Sequence, residues 1–137
     1  MIFNSITQIR VTYADTDKMG YSYYGNYPVY FEVARTEMLR QTGITYKQIE
    51  DNGFILPVAS LQVKYLKPAL YDELLTIKTT LNHDFEKKLN FNYEVYNSNN
   101  ELITTAETLL IFVNQQTRRP VKAPEFFVNA VTNYLSK

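Results

Sequence analysis

Two carboxylates and two of the chain's four glycines fall in YADTDKMGYSYYGNY, residues 13–27, directly ahead of an apolar helical pattern. Acids and glycines in front of a helix either tighten a loop or build a reaction site. On the first reading Asp15 and Asp17 sit in a polar loop, the glycines permit tight turns, and Asn26 caps the helix. On the second, the N–H groups around Tyr24, Gly25 and Asn26 carry partial positive charge and have no intrahelical partner. Gly25 would let a ligand oxygen approach that backbone closely. A nearby carboxyl oxygen could then attack, or activate water against, a carbonyl whose oxygen rests on those N–H groups.

What the chain lacks narrows the carbonyl. It has no cysteine, so disulfides, thiolate metal sites and cysteine nucleophiles are excluded. Its one histidine, His83, excludes a metal site with several imidazoles. No serine stands in a nucleophile-elbow context, and His83, in LNHDFE, reads as a structural or surface residue. No phosphate-binding GxxxxGK[ST] or dinucleotide GxGxxG run occurs. One carboxylate with one set of N–H donors suits a leaving group that departs unaided. A thiolate does so near neutral pH, since a cysteine thiol has a pKa of about 8.5; an amine does not. The site is adequate for thioesters and poor for amides.

The elements that must position these residues follow from periodicity. Residues 6–13, ITQIRVTY, alternate with Ile9, Val11 and Tyr13 on one face, which predicts a half-buried strand. Tyr27, Phe31, Ala34 and Met38 follow helical spacing, widened by Tyr30, Val33 and Leu39. Pro28 in the first turn and Gly43 at the stop agree with a helix. A short helix is expected over about residues 45–52. From Phe54 the period becomes two. FILPVASLQVKYL aligns Ile55, Ala59, Leu61, Val63 and Tyr65; LLTIKTTL aligns Leu75, Ile77, Thr79 and Leu81; LNFNYEVY aligns Leu89, Phe91, Tyr93 and Val95. NSNN, residues 97–100, is turn chemistry, and ELITTAETLLIFV reads as a long last strand. PEFFVNAVTNYLS reads as a terminal helix or a loose tail. The expected architecture is α+β, with a long helix packed on a curved antiparallel sheet of about five strands.

At 137 residues the chain reads as a single domain, 1–137, able to bury a core without staples. Fourteen basic and fourteen acidic residues argue against a nucleic-acid or anionic-membrane partner. MIFNSITQIR lacks the apolar core of a secretory signal and no segment approaches a membrane span, so a cytoplasmic location is expected. Twelve tyrosines and eight phenylalanines favour sheet and amphipathic pockets.

The run Tyr13-Ala14-Asp15-Thr16-Asp17, Met19-Gly20, Tyr23-Tyr24-Gly25-Asn26-Tyr27 and Phe31-Glu32-Val33-Ala34-Arg35-Thr36-Glu37 resembles the 4-hydroxybenzoyl-CoA thioesterase family of hotdog-fold proteins. The likeness continues through Val63-Lys64-Tyr65-Leu66-Lys67-Pro68-Ala69 and Tyr71-Asp72-Glu73-Leu74 and covers nearly the whole chain. It implies a hotdog fold and hydrolysis of an acyl-CoA or acyl-carrier-protein thioester without cofactor or metal. It puts the catalytic carboxylate on Asp17, as nucleophile or general base, and the oxyanion donor on the N–H of Tyr24 or Gly25. Many relatives carry histidine where this chain has Tyr24. Tyr13 matches a functional tyrosine of some relatives, although its alternation with Ile9 and Val11 fits a core role equally; Asp15 is expected to stabilise the loop.

Tyr13 and Asn26 are taken as substrate-binding candidates. The resemblance also implies a homodimer or homotetramer joined edge to edge, with the acyl pocket at the seam and Val58, Ala59 and Ser60 contributed by the partner. Lys64, Lys67, Lys87, Lys88, Arg118 and Arg119 are the cations available to CoA phosphates. A non-catalytic acyl-thioester binder has the same fold, and a hotdog dehydratase would need a histidine or glutamate placed elsewhere.

Overall fold

The computed structural model describes residues 2–82 and 88–137. His83 and Lys87 lie outside the described residues. Strands β1 (Ile2–Arg10), β3 (Val58–Tyr65), β4 (Leu74–Asn82), β5 (Lys88–Tyr96) and β6 (Leu102–Ile111) form one antiparallel sheet in the order β1-β4-β5-β6-β3. Strands β2 (Phe54–Ile55) and β7 (Val113–Asn114) pair separately. The helices are α1 (Tyr27–Arg40), α2 (Tyr46–Asp51) and α3 (Glu125–Leu135).

The period-two runs place the core. Leu75, Ile77, Thr79 and Leu81 of β4 and Leu89, Phe91, Tyr93 and Val95 of β5 are all buried, as their alternation requires. Against them α1 buries Tyr27, Tyr30, Phe31, Ala34, Arg35, Met38 and Leu39. Val29 and Val33 of α1 stay exposed, so its covered surface is narrower than the apolar pattern suggests. Gly43, at φ +90°, ends the helix with its N–H on the Arg40 carbonyl. The terminal segment is a packed helix, with Phe127 and Val131 fully buried.

Three expectations are corrected. The first strand begins earlier and stops at Arg10; the next residues leave the sheet. Val11 donates its N–H to the Glu73 carbonyl, and a 3₁₀ turn over Tyr13–Asp15 follows. Tyr13 therefore does not share the face of Ile9 and Val11; it is 79% exposed and packs edge-on against Tyr71. The FILPVASLQVKYL run is two strands, because Pro57 has no N–H to continue a ladder and the register shifts between Val58 and Ser60. Finally, Asn26 does not cap α1 with its side chain; its Nδ2 donates to the Asp15 carbonyl at 2.7 Å.

Burial pushes the phenols of Tyr27, Tyr30 and Tyr93 up from their ordinary range, that of Tyr30 to about 12. A tyrosine in the unfolded chain ionises near about 10. Above that pH the unfolded chain gives up protons that the folded chain retains, so stability falls as pH rises. The expected result is a urea midpoint that drops between about pH 10 and 12, with tyrosinate absorbance from these residues arriving together with unfolding.

Candidate active site

The loop between β1 and α1 is held by its own backbone. Asp17 donates its N–H to the Tyr21 carbonyl at 2.9 Å, and its carbonyl accepts from Gly20 at 3.0 Å. Gly20, at φ +78°, supplies the left-handed turn that closes this hairpin. The loop is tied to the segment before β4 by Ser22 N–H to Ala69 C=O at 2.8 Å and Tyr71 N–H to Gly20 C=O at 3.1 Å. Inside this frame Asp17 Oδ1 accepts from the N–H groups of Met19 (2.9 Å) and Tyr21 (3.4 Å). One carboxylate oxygen is thus fixed by main-chain donors, and Oδ2 carries no protein hydrogen bond among the described residues.

Asp15 has a different position. Its Oδ2 accepts from Thr12 N–H (3.2 Å) and from the Tyr30 hydroxyl (3.0 Å), and its carbonyl accepts from Tyr23 N–H (2.8 Å) and Asn26 Nδ2 (2.7 Å). The Tyr30 hydroxyl also shares a 2.7 Å hydrogen bond with Ser22 Oγ. Asp15, Ser22, Asn26 and Tyr30 therefore lock the loop to the first turns of α1. Tyr30→Phe should leave Ser22 without its buried partner and cost about 1–3 kcal/mol. A denaturant midpoint unchanged from that of the intact protein would show that this lock carries no stability.

A 3₁₀ turn over Tyr24–Asn26 leads into α1. Its hydrogen bonds begin with Asn26 N–H to the Tyr23 carbonyl at 3.0 Å. The N–H groups of Tyr24 and Gly25 precede that first bond and have no partner among the described residues. A Cβ at residue 25 would come within 2.5 Å of Cε2 of the half-exposed Tyr23 ring, so a larger residue there would displace that ring.

Asp17 and Tyr24 line one groove of about 350 Å³, together with Met19, Tyr27, Tyr65 and Lys67. Tyr65, at the end of β3, donates its hydroxyl to the Tyr24 carbonyl at 3.1 Å and packs edge-on against Tyr27. Its place in the site was invisible to periodicity, which assigned it only to a strand face. The available signal was its place in the family-like run Val63–Ala69. Of the six cations considered, Lys67 lines this groove, where it forms an exposed ion pair with Glu101. That pair holds the Glu101 carboxyl below its ordinary range. Lys64 lies on the far surface beside Gln62 and Glu107. Lys88 is exposed at the start of β5, and Arg118 and Arg119 are exposed in the turn after β7.

Tyr13, Val58, Ala59 and Ser60 do not line the Asp17 groove. The last three open β3, an edge strand exposed along most of its length. Seven strand steps of about 3.3 Å put Val58 roughly 23 Å from Tyr65 and the groove.

The family model described as the thioesterase-like superfamily matches residues 11–131. YneP of Bacillus subtilis, which carries an acyl-CoA thioesterase designation, is 32% identical over 93% of this chain and 92% of its own. The acyl-CoA thioester hydrolase YbgC of Escherichia coli O6:H1 is 32% identical over 88% of this chain and 90% of its own. Among solved structures, a DHNA-CoA thioesterase from Staphylococcus aureus superimposes with a TM-score of 0.89 at 35% identity, covering 97% of this chain and 91% of that one.

Proposed function

The chain belongs to the thioesterase-like superfamily and is a thioester hydrolase, and from that premise we propose that Asp17 attacks, or activates water against, the carbonyl of an acyl-CoA while the N–H groups of Tyr24 and Gly25 hold its oxygen. The fold is the hotdog, with α1 as the long helix across the five-stranded sheet. One observation carries the reading: Asp17 and Tyr24 line the same groove, and the Asp17 carboxylate is already held by Met19 and Tyr21. Pre-set groups of this kind need no reorganisation as charge develops on the carbonyl oxygen. The C–S bond breaks, the CoA thiolate leaves, and a water oxygen ends in the free acid. Among the described residues Lys67 lines this groove and would offer its charge to a CoA phosphate entering it, giving up an exposed ion pair worth little.

We place the enzyme in the cytoplasm and assign it a second copy. No helix among the described residues is long and apolar enough to cross a membrane. The open edge of β3, with Val58, Leu61 and Tyr65 exposed and Val29 of α1 sharing a groove with the first two, is the kind of surface that pairing protects. Antiparallel pairing centred between Leu61 and Gln62 sets Val58 of one copy opposite Tyr65 of the other. Val58, Ala59 and Ser60 then reach the Asp17 groove of the second copy. The test is thiol release from a panel of short, medium and long acyl-CoAs and aryl-CoAs, with acyl-carrier-protein thioesters alongside. Release from at least one acyl-CoA, lost in Asp17→Asn, is the expected result. Binding without release from either protein would make the chain a carrier.

A further inference from the structure

The two N–H groups assigned to the substrate oxygen belong to a turn on the surface. Tyr23, Tyr24 and Gly25 are all exposed. The turn is closed by Asn26 N–H on the Tyr23 carbonyl at 3.0 Å and by Tyr27 N–H on the Tyr24 carbonyl. Gly25 adds no side chain that could anchor the backbone, and glycine has the freest backbone angles of any residue. Yet donors stabilise a developing oxyanion best when they are fixed before the charge arrives. A side chain from outside the turn can fix them.

Tyr65 is in place to do so. Its hydroxyl donates to the Tyr24 carbonyl at 3.1 Å, from 41 positions along the chain. A peptide unit is planar and trans, so the Tyr24 carbonyl and the Gly25 N–H point in opposite directions from one rigid plate. Holding that carbonyl sets the direction of the Gly25 N–H. Through the Tyr24 Cα it also restrains the Tyr24 N–H beside it. A carbonyl that accepts a hydrogen bond polarises its own peptide, which strengthens the N–H on the other side as a donor.

The phenol is mounted on the sheet. Tyr65 is the last residue of β3, in register with Thr104 of β6. Its ring stands edge-on to Tyr27, with centroids 5.0 Å apart, and Tyr27 belongs to the core. A second edge contact, at 6.4 Å, reaches the Tyr24 ring. Tyr65 is half-exposed and lines the groove that holds Asp17.

We propose that Tyr65 is a positioning residue for the reaction: its hydroxyl locks the peptide joining Tyr24 to Gly25, so that the N–H groups of both residues face the thioester carbonyl. In this role no proton moves to or from the phenol. The inference rests on the thioesterase reading, and in particular on those N–H groups as the donors.

The test is Tyr65→Phe, which keeps the ring and both edge contacts and removes only the hydroxyl. The probe is whichever of benzoyl-CoA, hexanoyl-CoA and palmitoyl-CoA the intact protein cleaves fastest. In single turnover with enzyme in excess, the maximal rate of thiol release should fall about tenfold, one hydrogen bond being lost. The enzyme concentration that gives half the maximal rate should not change. The second readout is the infrared stretch of the bound thioester carbonyl, isotope-labelled at its carbon and held uncleaved in Asp17→Asn. It should lie below its value in water, and adding Tyr65→Phe should move it back toward that value. An unchanged maximal rate overturns the proposal, and so does a loss confined to the half-saturating concentration, which reduces Tyr65 to a wall of the groove. A stretch that is the same with and without the hydroxyl overturns it too, because a proton donated to the leaving thiolate slows release without touching the bound carbonyl. If the stretch in Asp17→Asn alone equals that in water, the N–H groups do not hold the oxygen, and the oxyanion reading falls first. No release from any of the three acyl-CoAs overturns the thioesterase reading instead.

Discussion

Asp17→Asn is expected to cut thiol release from acyl-CoA by roughly 100- to 10,000-fold, the range associated with loss of a positioned base. In barrier terms that is about 3–5 kcal/mol. The substitution is isosteric. The asparagine Oδ1 can still accept from Met19 and Tyr21, the two donors that hold Asp17 Oδ1, and the Gly20 turn does not depend on the side chain. Folding and acyl-CoA binding should therefore persist, with the loss in kcat and not in KM, the signature of a group acting only in the transition state. Steady-state thiol release beside calorimetric binding checks it. A loss below about tenfold would remove Asp17 from the chemistry and direct attention to the phenols of Tyr24 and Tyr65.

The largest effect on stability is expected at Phe31. This ring is fully buried on α1, stacks on Tyr93 with centroids 4.5 Å apart, and lies 6.2 Å from Tyr27. Phe31→Ala removes the transfer energy of the ring and leaves a void between helix and sheet, together about 3–5 kcal/mol. Domains are stable by only about 5–15 kcal/mol, so this is a large share of the total. The lower urea midpoint should come with an unchanged slope, because the void alters neither the unfolded chain nor the surface it exposes. Tyr93 is also the hydroxyl that holds Arg35 Nη1, so the same variant should loosen Arg35. A cost under about 1 kcal/mol would mean that the helix settles onto the sheet and refills the space.

What local chemistry dictates was legible in advance. Alternation over β4 and β5 named eight residues that all face the core, since side chains on a strand alternate whatever its neighbours are. The acids and glycines before α1 marked the loop that holds Asp17, because it lies ten residues ahead of the helix with turn-forming Gly20 and Gly25 between them. Where tertiary pairing competes with local pattern, the reading failed. Tyr13 alternates with Ile9 and Val11, yet the ladder to β4 ends at Arg10 and turns it outward. Asn26 has the chemistry of a cap, yet the Asp15 carbonyl claims its amide.

The sequence by itself determined the α+β class, the family, the core faces and the segment holding Asp17 and Tyr24, because each depends on spacing within a few residues or on an ordered motif. Only the tertiary structure decided that β3 is one of the two edges of the sheet, that Tyr65 lines the groove and bonds the Tyr24 carbonyl, that the Gly25 backbone lies against the Tyr23 ring, and that Arg35 is buried among neutral partners. Most of these rest on contacts between residues from eleven to nearly sixty positions apart, and spacing along a chain carries no information on which distant segments the hydrophobic core will bring together.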